Sequence, residues 1–112
     1  MAQIIIVASL EKELRKKFNQ SEALKIVDLM YSLNANPKKG KLLGSVGGIV
    51  IKELKYKSFR FYFLTDGFKL KFFSQDALED LLLMFVRMSD KKAQTIYEIK
   101  NILIQIGPSG FV

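Results

Sequence analysis

The 112-residue chain contains no cysteine and no histidine. The first absence excludes a disulfide framework, a thiol nucleophile and a cysteine-ligated zinc site. The second removes Ser-His-Asp relays, histidine-ligated metals and the commonest general acid/base. Long apolar runs are missing as well: none approaches the ~20 residues that a membrane span needs. Residues Gln3 to Ala8 are apolar, but they lack a basic leader and are too short for a secretory signal. The expectation is a cytoplasmic protein with no membrane partner, no metal and no cofactor.

What is present is apolar mass and positive charge. Hydrophobic residues make up 49% of the chain, which excludes disorder. A chain of this length forms one domain, residues 1–112, large enough for a hydrophobic core without staples. The formal net charge is +7. Such a surplus speaks to partners rather than to fold, and polyanions come first, nucleic acid ahead of anionic membrane.

The chain is organised around Gly48 to Ser74. Successive side chains of a strand face opposite ways. Val50, Leu54 and Tyr56 therefore share one face, interrupted by Lys52, and Glu53, Lys55 and Lys57 share the other. Next, Phe59, Phe61 and Phe63 oppose Arg60 and Tyr62. After the hairpin signal Thr65-Asp66-Gly67, Phe68, Leu70 and Phe72 alternate with Lys69 and Lys71. One face of the sheet is apolar and needs helices as cover. The other is expected to be an open, cationic surface carrying Lys55, Arg60 and Lys69, and the phenylalanines at 59, 61, 63, 68 and 72 are expected in the core.

Before this stretch, Gln3–Ala8 reads as a strand buried on both faces. Ser9 is placed to cap a helix on which Leu10, Leu14 and Phe18 recur every four residues. Asn19 with Glu22 resembles a capping box for a second helix with Ala23, Ile26, Val27, Met30 and Leu33 inside. Asn34 to Pro37 stops it, and Pro37 to Lys41 is a basic loop. The glycines at 44, 47 and 48 lack the Lys-Ser/Thr ending and following helix of a phosphate loop, so they read as a flexible turn into a strand. After it, Leu81 to Val86 fits a helix started at Ser74-Gln75-Asp76 and a buried central strand equally well. The last helix begins at Ser89 or Asp90, carries Ala93, Ile96, Ile99, Leu103 and Ile106 on one stripe, and stops at Gly107-Pro108.

The order of these pieces resembles a known family. Two helices are followed by a Leu-Gly loop, then Glu53-Leu54-Lys55 and Phe59-Arg60-Phe61-Tyr62. Last come Phe85-Val86-Arg87-Met88-Ser89-Asp90-Lys91-Lys92 and Tyr97-Glu98-Ile99. This is similar to the RelE/HigB/ParE toxin superfamily, most specifically from Gly47 to Tyr97. Where members often carry Thr-Pro after the paired lysines, this chain has Ala93-Gln94-Thr95. The histidine or extra tyrosine that some carry near the C-terminus is absent.

The resemblance implies an α+β fold: an antiparallel sheet backed by an N-terminal helical hairpin, with a C-terminal helix and with Leu81–Met88 as a strand. It implies a toxin of a type II toxin–antitoxin pair that cleaves mRNA, often on the ribosome, and is held inactive by an acidic antitoxin. Under it the catalytic candidates are Glu53, Lys55, Arg60, Lys91 and Tyr97. Lys52, Lys57, Lys69, Lys71, Arg87 and Lys92 are the RNA-binding ones.

RNA cleavage without a metal needs the 2′-hydroxyl loosened, the phosphate charge stabilised and the leaving oxygen protonated. Arg60 is suited to clamp a phosphate bidentately. Tyr97 is suited to give a proton or orient the substrate. The base is either Glu53, or Lys55 positioned by Glu53. Without the resemblance, Glu53 with Lys55 and Arg60 reads first as ordinary cross-strand ion pairs. The alternative function is a non-catalytic RNA or ribosome binder, or a ParE-like inhibitor of a protein such as DNA gyrase.

Overall fold

Alternation of apolar and polar residues through the middle of the chain builds a sheet, and the computed structural model shows it in residues 2–36, 38–88 and 93–106. The strands are β1 (Gln3–Ile6), β2 (Lys41–Val46), β3 (Ile49–Tyr56), β4 (Phe59–Thr65) and β5 (Lys69–Phe73). The helices are α1 (Ala8–Lys17), α2 (Gln20–Tyr31), α3 (Gln75–Met88) and α4 (Ala93–Ile106), with a 3₁₀ turn at Ser32–Asn34. Strand order is β1-β5-β4-β3-β2. The fold is α+β, but the sheet is mixed rather than antiparallel, because β1 lies parallel to β5. Two helices and three strands separate β1 from β5 in the chain, so no tight hairpin imposes an antiparallel pairing on them.

The apolar face meets α1 and α2 as expected. Leu10, Leu14, Ile26, Met30 and Leu33 pack on Leu54, Phe61, Phe63, Leu70 and Phe72. Asn19 caps α2, its side chain accepting from the Glu22 amide at 2.8 Å. Glu22 does not complete the capping box. Its carboxylate instead accepts from the Tyr56 hydroxyl at 2.7 Å and from the Lys57 ammonium at 2.9 Å, tying α2 to the β3–β4 hairpin. Ser9 does not cap α1, for which Val7 is the N-cap without a side-chain bond. Strand β1 runs straight into that helix: the Val7 amide still donates to Phe72, and its carbonyl already accepts from Leu10 and Glu11. As an edge strand, β1 is only half-buried, not enclosed on both faces.

The second face corrects the sequence reading. It is not open: Ile51 and Tyr62, with Leu64 and Phe73 beside them, pack against Leu78 and Leu82 of α3 and Ile99, Ile102, Leu103 and Ile106 of α4. Residues 81–88 belong to a helix, not to a strand. The physical reason is that the apolar row crossing this face needs cover. Leu78, Leu82 and Val86 supply it at helical spacing, and the Ser74 hydroxyl caps the helix start by accepting from the Ala77 amide at 3.2 Å. The Gly44 stretch is likewise a strand, β2, and not a flexible lead-in. Gly47 and Gly48, both at positive φ, form a two-residue hairpin turn onto β3. Phe68 sits 77% exposed in the β4–β5 turn, outside the core. The expected α4 cap at Ser89 or Asp90 and stop at Gly107-Pro108 lie outside the described residues.

Candidate functional site

Only part of the positive charge of the central stretch, Lys55 and Arg60, collects at one end of the sheet, where Lys41 joins it. Between Asp28 and Asp66 the only acid is Glu53, against Lys38, Lys39, Lys41, Lys52, Lys55, Lys57 and Arg60. In the ladder, Glu53 stands opposite Lys41 of β2 on one side and Tyr62 of β4 on the other. Lys55, two residues on, stands opposite Arg60. Cross-strand partners share a face, so Lys41, Glu53, Lys55, Arg60 and Tyr62 form one patch. It lies toward the β3–β4 hairpin.

Within the patch the acid is the covered member. Glu53 is 7% exposed, and its Oε1 lies 3.9 Å from the Arg60 Nε. Lys41, Lys55 and Arg60 are exposed. Tyr62 closes the inner side: its hydroxyl donates to the Ile106 carbonyl at 3.4 Å. Burial pushes the Tyr62 phenol up, and the neighbouring Glu53 carboxylate adds to that shift. Chemically this is a guanidinium held from behind by a carboxylate, with the Lys55 side chain opposite it and the Lys41 side chain on the far side of Glu53. It suits an anion with several oxygens.

The other sequence candidates are placed as follows. Lys52 faces the opposite side of the sheet, its ammonium donating to the Lys38 carbonyl at 3.1 Å. Lys57, in the β3–β4 turn at φ 54°, is engaged by Glu22. Lys69 and Lys71 share the parity of Arg60 but not its end of the sheet. Lys71 stands opposite Leu64, about 13 Å along the strand from Arg60, and Lys69 about 20 Å. Between them and the patch lies the apolar row covered by α3 and α4.

Arg87 is exposed in the last turn of α3, about 18 Å along the helix from its start near Tyr62. Tyr97, 62% exposed, is nine residues before Ile106 on α4, so it stands about 13 Å along the helix from the Tyr62 contact. It does not join the patch. Lys91 and Lys92 lie outside the described residues.

Lys41 is the member that sequence reasoning missed. In sequence it belongs to the basic loop, and only the β2–β3 register brings it opposite Glu53; the signal that points to it is the Gly47-Gly48 hairpin pair. Among the described residues, no group of three or more acidic side chains comes together as a metal site would require, and no helix is long and apolar enough to cross a membrane. No protein-family model, curated protein or solved structure matches the chain.

Proposed function

We propose that the chain is a RelE-like toxin that acts on RNA, cutting it by attack of a 2′-hydroxyl on the adjoining phosphate. One observation carries the reading: Arg60 stands backed by the covered Glu53 and opposite Lys55, with Lys41 on the far side of Glu53, at the cationic end of the sheet. Arg60 grips the scissile phosphate. Glu53 is too enclosed to reach a ribose, so it positions Arg60, and exposed Lys55, acting as the neutral amine, takes the 2′ proton and becomes the ammonium. The 2′-oxygen bonds to phosphorus as the bond to the 5′-oxygen breaks, and Lys41 gives that oxygen its proton. Products carry 2′,3′-cyclic phosphate and 5′-hydroxyl ends. An acidic antitoxin that covers these cations would silence the protein, and a ribosome would present the mRNA.

The test is incubation with single-stranded RNA in chelator, with product ends identified by mass spectrometry. Cyclic phosphate ends that vanish in Arg60→Ala support the proposal, and unchanged cleavage by that variant overturns the site. Affinity should also fall steeply with salt, because each phosphate contact releases counterions.

A second reading, a non-catalytic RNA or ribosome binder, is favoured by the distance of Tyr97 from Arg60 and by the enclosure of Glu53. Tight, salt-sensitive binding without cleavage selects it. Growth arrest with intact RNA and disturbed supercoiling selects the gyrase-directed alternative.

A further inference from the structure

Strand β5 ends at Phe73, opposite Tyr62, while β4 continues back to Phe59. The first residues of β4, Phe59 to Phe61, are therefore paired to β3 alone. Their other edge opens into a groove of about 250 Å³ between the C-terminal half of α1 and the start of α3. Lys17, Phe18, Phe59, Arg60 and Gln75 are among its walls.

The groove has two properties that ordinary packing does not require. Phe59 is 43% exposed although it sits on the apolar side of its strand, and it meets Phe18 edge-on at 4.7 Å between ring centroids. Cations also stand near this ring, two of them paired with acids. A second hollow, of about 220 Å³, is lined by Phe59, Lys17, Lys57 and Glu22, whose carboxylate engages Lys57 at 2.9 Å, and Arg60 follows in sequence on the opposite face. Aromatic faces set among cations are how single-stranded nucleic acid is held without sequence readout. The unpaired edge of β4 adds backbone hydrogen-bonding groups at the same spot. The acid at the rim, Glu13, is engaged by Lys17 at 2.9 Å, which leaves the Arg60 side of the groove cationic.

We infer that this notch holds one unpaired base of a single-stranded RNA, stacked on Phe59, while Arg60 grips the adjoining phosphate on the other side of the strand. The inference rests on the RNA reading above and goes beyond it by naming a base site and the strandedness of the substrate. The volume suits a single base, being below the ~300–1,000 Å³ of sites for larger ligands. A duplex cannot offer a base to the notch without unpairing it, so the groove discriminates by strandedness.

The test is fluorescence anisotropy with a labelled single-stranded RNA oligonucleotide and an RNA duplex of equal charge. The wild type should prefer the single strand. Phe59→Leu, which keeps an apolar side chain but removes the ring face, should erase about tenfold of that preference, and Arg60→Ala should weaken both ligands. Circular dichroism melting checks that each variant folds. A 4-thiouridine oligonucleotide crosslinked to the wild type gives a readout independent of any variant, and the crosslinked peptide should contain Phe18 or Phe59. Equal binding of the two RNAs, an unchanged preference in Phe59→Leu, or a crosslink confined to other peptides overturns the base site and leaves the RNA reading standing. Absence of RNA binding by the wild type overturns both.

Discussion

The Glu53 carboxylate lies 3.9 Å from the Nε of Arg60, and the two side chains differ sharply in exposure, 8% against 54%. The pair is therefore asymmetric. Removing Arg60 leaves a covered carboxylate with less compensation, whereas neutralising Glu53 leaves a cation that water already solvates. Arg60→Ala should cost about 1 kcal/mol of stability, discounted for the open side of the pair, and Glu53→Gln should cost less. In the double variant the Arg60→Ala penalty should shrink, which a double-mutant cycle in urea measures directly. RNA affinity separates the roles further: Arg60→Ala should lose at least tenfold, while Glu53→Gln should bind as well as the wild type or better. If Glu53→Gln abolishes cleavage while binding and stability hold, Glu53 is the base rather than the group that positions Arg60.

A second expectation concerns the seam between β2 and α4. A Cβ added at Gly44 would lie 2.7 Å from Cγ1 and 2.9 Å from Cδ1 of Ile102. Ile102 is buried, so its inner methylene has little room to yield. Gly44→Ala should destabilise the protein by about 1–3 kcal/mol, the range for overpacking a core. Ile102→Ala removes both clashing atoms, so the double variant should lose less than the two single losses combined. Urea midpoints of the four proteins provide the check. Strict additivity would mean that β2 and α4 do not touch there.

The seam also shows what the sequence could and could not disclose. Period-two alternation in Val50 to Phe72 marked β3, β4 and β5, and the four-residue spacing of Leu10, Leu14 and Phe18 marked α1. Those patterns are local, and local patterns can be read from one chain. Whether the face bearing Ile51, Tyr62, Leu64 and Phe73 was open or covered depended on where a distant segment docked. Seen alone, Lys55, Arg60, Lys69 and Lys71 dominated that face. The apolar row between them became decisive only once α3 lay over it. Glu53 and Arg60 were legible as neighbours because a tight hairpin fixes register. Lys41 was not, because the register of β2 includes an irregularity between Leu42 and Gly44. The parity of Phe59 puts it with the core residues, but its place at the end of β4, past the last residue of β5, leaves it partly exposed.

The helical state of residues 75–88 gives a third expectation, based on phase. Leu78 and Leu82 are buried, whereas Met84 and Met88 are exposed. In a strand, residues 82, 84 and 88 would share one face; in the helix they do not. Leu82→Ala should cost about 2–5 kcal/mol, and Met84→Ala and Met88→Ala should stay within about 0.5 kcal/mol of the wild type. Thermal melts of the three variants decide it. Equal losses at 82 and 84 would restore the strand reading.

A fourth expectation follows from the group that ties α2 to the β3–β4 hairpin. The Tyr56 hydroxyl, and then Lys57, hold the Glu22 carboxyl below the ordinary glutamate value of 4.5. Backbone amides of Lys69 and Phe68 do the same for Asp66 below its ordinary 3.8. A carboxylate depressed in the fold contributes stability that is present above its unfolded value and is lost as pH falls through the folded one. The acid limb should therefore begin near pH 4.5 and deepen below 3.8.

At the other end, Glu22 raises both Tyr56 above 10.0 and Lys57 above 10.5, its hydrogen bonds being the largest cause. A group raised in the fold contributes stability that is present below its unfolded value and is lost as pH rises through the folded one. One residue, Glu22, thus shapes both limbs. Urea unfolding across pH should show Glu22→Gln flattening the acid limb and the alkaline limb together. Asp66→Asn, whose partners are backbone amides, should flatten the acid limb alone. If Glu22→Gln leaves the alkaline limb unchanged, the tie between α2 and the hairpin does not govern Tyr56 and Lys57 in solution.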